Sequence, residues 1–150
     1  MIPNRIVIDT NVCLDLFVFR DPRWHHLLAA LQEGTVEAVT RADCRMEWLI
    51  VLGYAQLKLD HDDRQRCMME FDAVIRCLPD MAPDADSARL PICKDRDDQK
   101  FLELARDAKA SVLITKDKAL LKLAAKTRRT GLFLILKPES WDAFDQYLRE

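Results

Sequence analysis

A chain of 150 residues, 49% apolar and 32% charged, has the length of one domain and the composition of an ordinary soluble globular protein. Three glycines leave no glycine-rich phosphate loop, and five cysteines with no C-x-x-C pair give neither a disulfide framework nor a structural zinc site. No stretch approaches the roughly 18 apolar residues of a membrane span, the amino terminus reads as a strand and not a signal peptide, and a cytoplasmic protein with reduced, mostly buried thiols is expected.

Residues 5–15 read Arg-Ile-Val-Ile-Asp-Thr-Asn-Val-Cys-Leu-Asp. Ile6 to Ile8 have the pattern of a short strand buried on both faces. Asp9 follows at its carboxyl end. Thr10 and Asn11 are good N-caps for the helix-spaced run Val12, Leu14, Leu16, Phe17. An acid at a strand-to-helix junction lies where open α/β sheets place their ligands, although a single Asp before a helix is more often only a cap.

Asp21-Pro22 opens a helix with Trp24, Leu27, Leu28 and Leu31 on one face, closed at Gly34. Val36 to Val39 is a second strand. Thr40-Arg41-Ala42-Asp43 has capping-box spacing and predicts a long helix to about Leu59, with Met46, Leu49, Ile50, Leu52 and Gly53 on its buried side. Glu47 falls about two turns into it, where a solvated glutamate is the plain reading. Another amphipathic helix is predicted over His61 to Leu78, through Cys67, Met68, Phe71, Val74 and Ile75. Pro79 stops it, and Pro79 to Pro91, with three prolines, reads as a surface connection.

Asp95, Asp97 and Asp98 gather just before the periodic run Phe101, Leu102, Leu104, Ala105, Ala108. Acids favour a helix amino terminus, yet three exceed what capping requires. Ser111 to Thr115 is an apolar strand followed by Lys116 and Asp117, so the order strand, Thr, acid, helix recurs, here leading into Ala119 to Ala125. Leu132 to Leu136 forms a last strand, and Ser140 opens a closing helix through Leu148.

Four strands alternating with helices imply a parallel sheet covered on both faces. The carboxyl ends of the first and third of these strands can lie side by side and bring Asp9 to Asp117, with Asp98 and Glu47 able to approach the same cleft. Clustered carboxylates repel unless a cation shares them. Mg²⁺ and Mn²⁺ accept oxygen ligands of this kind, and the chemistry they suit is phosphodiester hydrolysis.

In this order and spacing the motifs resemble those of the PIN-domain nucleases, and within them the branch of toxins from toxin–antitoxin pairs. Val7-Ile-Asp-Thr-Asn11 is similar to the opening motif, Glu47 to the helical acid, Cys93 to Ala105 to the Asp-rich helix start, and Val112 to Leu121 to the strand-Thr-x-Asp-x-x-Leu-Leu segment. The resemblance implies an α/β fold, a PIN-like three-layer α/β/α sandwich around a mostly parallel sheet of four to five strands, with residues 1–150 as one nuclease domain. It implies Asp9, Glu47, Asp98 and Asp117 as catalytic, metal-binding acids, with Asn11 and Thr115 as polar helpers and Asp95 or Asp97 nearby.

The net charge of −2 says nothing in favour of nucleic acid, but the charge is uneven. Between Leu104 and Thr130, Arg106, Lys109, Lys116, Lys118, Lys122, Lys126, Arg128 and Arg129 face only Asp107 and Asp117. Lys116 and Lys118 adjoin the proposed acids, where a phosphate backbone would be positioned. The expected activity is a Mg²⁺- or Mn²⁺-dependent endoribonuclease on single-stranded or looped RNA, RNA being chosen on the resemblance alone. The alternative is a catalytically silent module that binds protein or RNA. A phosphoacceptor or phosphatase domain is disfavoured because no Asp-x-Asp follows the first strand. Phe17, Phe19, Trp24, Trp48 and Tyr54 mark a surface for an antitoxin or a second copy of the chain wherever they are exposed, and a homodimer is expected.

Overall fold

The computed structural model describes residues 1–80 and 87–149. Five strands, β1 (Ile2–Ile8), β2 (Glu37–Thr40), β3 (Ile75–Cys77), β4 (Ala110–Ile114) and β5 (Leu134–Leu136), pair in the order β3-β2-β1-β4-β5. Every pairing is parallel. The helices α1 (Thr10–Phe17), α2 (His25–Glu33), α3 (Ala42–Leu52), α4 (His61–Val74), α5 (Gln99–Asp107), α6 (Lys118–Leu121), α7 (Ala124–Arg129) and α8 (Trp141–Arg149) fill the connections.

Strand alternation divides the core. Ile6 and Ile8 of β1, Ala38 of β2 and Val112 and Ile114 of β4 join side chains of α1, α2, α3, α4 and α8 on one face. Val7, Val39 and Leu113, pointing the other way, join Phe101, Leu102, Leu104 and Leu120 from α5 and α6. This is the three-layer α/β/α architecture expected from alternating strands and helices. Four of the five cysteines are buried and all are free.

The register places the functional end of the sheet. Ile8 lies opposite Ile114, and the Asp9 amide donates to the Ile114 carbonyl at 2.9 Å. Asp9 and Thr115 therefore leave adjacent strands at the same height. On α3, Trp48 is buried and stacks on Phe71 of α4 at 5.0 Å, with Phe17 of α1 edge-on to both rings. That anchor fixes the rotation of α3, and Glu47, one residue earlier, turns toward the start of α1.

Several expectations require correction. The helix predicted to Leu78 ends at Val74, and residues 75–77 form the edge strand β3 against β2. Ile75 and Leu78 are buried, as a helix would also have them, and three residues are too few to display the alternation of a strand. The helix predicted to Leu59 stops at Leu52 and Gly53, with a separate 3-10 turn at Ala55–Leu57. Its buried side is Cys44, Trp48 and Leu52, while Met46 and Ile50 are 54% and 55% exposed. No capping box forms at Thr40. The N-cap is Arg41, and Asp43 instead binds the Arg41 guanidinium and the Cys44 amide. Asp9 itself caps α1, ahead of Thr10 and Asn11. Of the large aromatics, Phe17, Trp24 and Trp48 are core, whereas Phe19 and Tyr54 are exposed. The connection expected over residues 79–91 lies partly outside the described residues.

Candidate metal centre

Asp9 is only 4% exposed at the end of β1. Its Oδ1 accepts the Thr10 amide at 2.7 Å and its Oδ2 accepts the Thr115 hydroxyl at 2.7 Å. Thr115 in turn accepts from the Asp117 amide at 2.9 Å. One hydroxyl thus ties the acid of β1 to the acid that follows β4. Asp117 caps α6, accepting from the amides of Ala119 at 2.7 Å and Leu120 at 3.3 Å through one oxygen, Oδ1.

The third acidic element is the 3-10 turn Arg96–Asp98, which leads directly into α5. Asp95 caps it, accepting the Asp97 amide at 3.0 Å. The turn rotates Asp98 inward and leaves Asp97 exposed. Asp95, Asp98 and Asp117 each bring a carboxylate oxygen within 4.8 Å of the others. Of the two residues proposed as neighbours of this set, the geometry brings in Asp95 and not Asp97.

Burial above all, then the Asp117 carboxyl beside it and the charges of Asp9, Asp117 and Asp95, push the Asp98 carboxyl up to about 7. Burial likewise raises Asp9 to about 6, against the lowering effect of its Thr115 and Thr10 hydrogen bonds and with help from the charges of Glu47 and Asp117. These acids therefore share one electrostatic environment.

Glu47 occupies a different side of the cleft. Its Oε2 accepts the Thr10 hydroxyl, and its Oε1 pairs with the Lys100 ammonium at 3.0 Å. It lies outside the three-acid group, linked to Asp9 through Thr10. Lys116 is committed as well, its ammonium 2.6 Å from Asp15, a buried carboxylate on α1 that also accepts the Trp24 indole at 3.2 Å. Lys118, Lys122, Lys126, Arg128 and Arg129 are exposed, and none has an ion pair among the described residues.

Thr10, Asp15 and Lys100 are contributors that sequence reasoning passed over. Thr10 read as a cap, and Lys100 was given no role. Its partner Glu47 lies 53 residues earlier, with no local spacing to join them.

A cation suits this arrangement. Asp98 Oδ2 and Asn11 Oδ1 are buried without a hydrogen-bond partner among the described residues, and buried polar oxygens are rarely left so. The donors are all hard oxygens, the set taken by Mg²⁺ and Mn²⁺ and not by softer, thiolate-seeking metals.

No helix among the described residues is long and apolar enough to cross a membrane. A search of curated proteins finds no match. The family model for the PIN domain matches residues 5–119, from β1 through the first residues of α6, and so takes in Asp9, Glu47, Asp98 and Asp117. PIN domains are generally nucleases, typically with divalent metals and a nucleic acid substrate. On this match, which covers most of its length, the chain belongs to the PIN-domain family.

Proposed function

We propose that the protein is a metal-dependent endoribonuclease that hydrolyses RNA phosphodiester bonds in the cleft at the carboxyl ends of β1 and β4. The observation that carries this reading is the convergence of Asp95, Asp98 and Asp117 within 4.8 Å, with an unpartnered buried oxygen on Asp98. Asp98 and Asp117, assisted by Asp95, would hold Mg²⁺ or Mn²⁺. Asp9, fixed by Thr10 and Thr115, adds its charge from behind, and Asn11 offers an uncommitted oxygen. Glu47, paired with Lys100, supports Thr10 from α3. The bound ion supplies an activated water and a counter-charge for the leaving oxygen.

The other residues position the strand. Lys118, Lys122, Lys126, Arg128 and Arg129 are exposed on the elements that follow Asp117, where they can hold phosphates without reading bases. The whole chain acts as one nuclease domain on this reading, since Trp141 of α8 and Ile135 of β5, beyond the matched residues, are buried in the clusters on the two faces of the sheet, each together with matched residues.

We further infer the toxin of a toxin–antitoxin pair, cytoplasmic and homodimeric. Met46 and Ile50, exposed one turn apart on α3, and the exposed Tyr54 just after the helix support a protein partner. A small antitoxin-like reading frame beside the gene is the expected companion, and its absence counts against the toxin role.

The nuclease reading is tested by incubating purified protein with mixed single-stranded RNA, with Mn²⁺ or with EDTA. Cleavage with Mn²⁺ alone is expected. RNA bound but intact would make the protein a catalytically silent binding module.

A further inference from the structure

We propose that Lys100 stands in the place of a second cation beside Glu47, so that the cleft takes one divalent ion and not two. The inference rests on the metal-centre reading above and extends it to the number of ions and the residue that sets that number.

Lys100 lies in the first turn of α5, two residues after Asp98, and returns across the turn instead of extending into solvent. Its ammonium is 3.0 Å from Glu47 Oε1 and 2.5 Å from the Asp97 carbonyl oxygen, and 5.4 Å from the centre of the Phe101 ring. The Lys100 and Glu47 side chains are 19% and 28% exposed, so the pair is partly shielded from water.

The two sides of the cleft differ in what they leave free. Both oxygens of Glu47 have partners, the ammonium on one and the Thr10 hydroxyl on the other. Asp98, by contrast, keeps a buried oxygen with no hydrogen-bond partner among the described residues. A divalent ion entering beside Asp98 displaces no protein group from that oxygen. One entering beside Glu47 has to expel a cation already held by two acceptors, or remain next to it against like-charge repulsion.

Manganese binding separates the alternatives without any substrate. Free Mn²⁺ is followed by electron paramagnetic resonance during titration of wild type, Lys100→Met, Lys100→Arg and the double variant Lys100→Met/Glu47→Gln, each first shown to melt cooperatively. Should Lys100→Met not fold, Lys100→Gln takes its place. Wild type and Lys100→Arg are expected to bind one ion per chain, Lys100→Met two, and the double variant one, because the second ion needs the Glu47 carboxylate. Two ions on wild type, or one on Lys100→Met, overturns the proposal. One ion on both wild type and Lys100→Met leaves the metal centre standing and removes only the role of Lys100. No ion on wild type refutes the centre and this proposal together.

Discussion

Replacing Asp9 with Asn removes a charge that burial makes costly while keeping the shape of the side chain. The Asp9 carboxyl is raised from its ordinary 3.8 to about 6 in the folded chain. Between those values the folded state retains a proton that the unfolded state has released. Stability from this group is therefore full below pH 3.8, falls as pH rises through the window, and is level above about 6. A shift of that size is worth about 3 kcal/mol at neutral pH. Asn escapes the penalty but loses one acceptor. Its oxygen can serve the Thr10 amide, but its NH₂ group then faces the Thr115 hydroxyl, which has to become the acceptor, at a cost of about 1 kcal/mol. In EDTA, Asp9→Asn should be less stable than wild type by about 1 kcal/mol near pH 3 and more stable by about 2 kcal/mol near pH 7.5. At about 2–4 °C per kcal/mol for a domain of this size, that gain raises the neutral-pH melting temperature by about 4–8 °C. Thermal melts followed by circular dichroism at both pH values measure the crossover. An Asn-minus-Asp difference that does not change with pH would show that the Asp9 carboxylate carries no such cost.

Asp98→Asn should raise the metal-free melting temperature, because Asp98 is held against Asp117 and Asp9, and should weaken the Mn²⁺-induced rise. If Asp98 served only the dipole of α5, the same change would lower stability by about 0.3–1 kcal/mol and Mn²⁺ would shift neither protein. Binding a cation requires Asp98 to give up a proton it holds up to about pH 7, so Mn²⁺ affinity measured by calorimetry should strengthen as pH rises through that value. Lys116→Ala leaves the buried Asp15 carboxylate with the Trp24 indole as its remaining partner, and should cost about 1–3 kcal/mol in urea unfolding at neutral pH. An unchanged midpoint would show that the pair contributes nothing. Lys126→Ala, Arg128→Ala and Arg129→Ala together should weaken RNA binding without altering Mn²⁺ affinity. They should also flatten the salt dependence of RNA binding by about 0.7 in log–log slope for each phosphate no longer neutralised.

What was legible in the sequence was what local order encodes. Ile6 to Ile8 form an apolar run with an acid at its end, and Ser111 to Thr115 repeat the design, so two neighbouring strands and the acids beyond them followed from pattern alone. β3 escaped because Ile75 and Leu78 also fit the helical spacing of α4. The rotation of α3 escaped because Met46 and Ile50 are as apolar as Leu52 but lie more than half exposed, and the stack of Trp48 on Phe71 decides which side faces in. The convergence of Asp95, Asp98 and Asp117 depends on a 3-10 turn that aims Asp98 inward and Asp97 outward, a distinction that three acids in four positions do not carry. The Glu47–Lys100 pair joins residues far apart in the chain, and each alone looks like a solvated charge.

The measurement closest to the central claim is the chemistry of the cut ends of a single-stranded RNA of defined sequence. Water activated at a metal centre leaves hydroxyl and phosphomonoester ends, whereas attack by the neighbouring 2′-hydroxyl leaves a 2′,3′-cyclic phosphate. Wild-type protein with Mn²⁺ is expected to give fragments without cyclic phosphate, and Asp98→Asn, folded by its melt, to give none at all. Cyclic phosphate ends that persist in EDTA would contradict the account, because the RNA would then be cut without the ion that the carboxylates are proposed to hold.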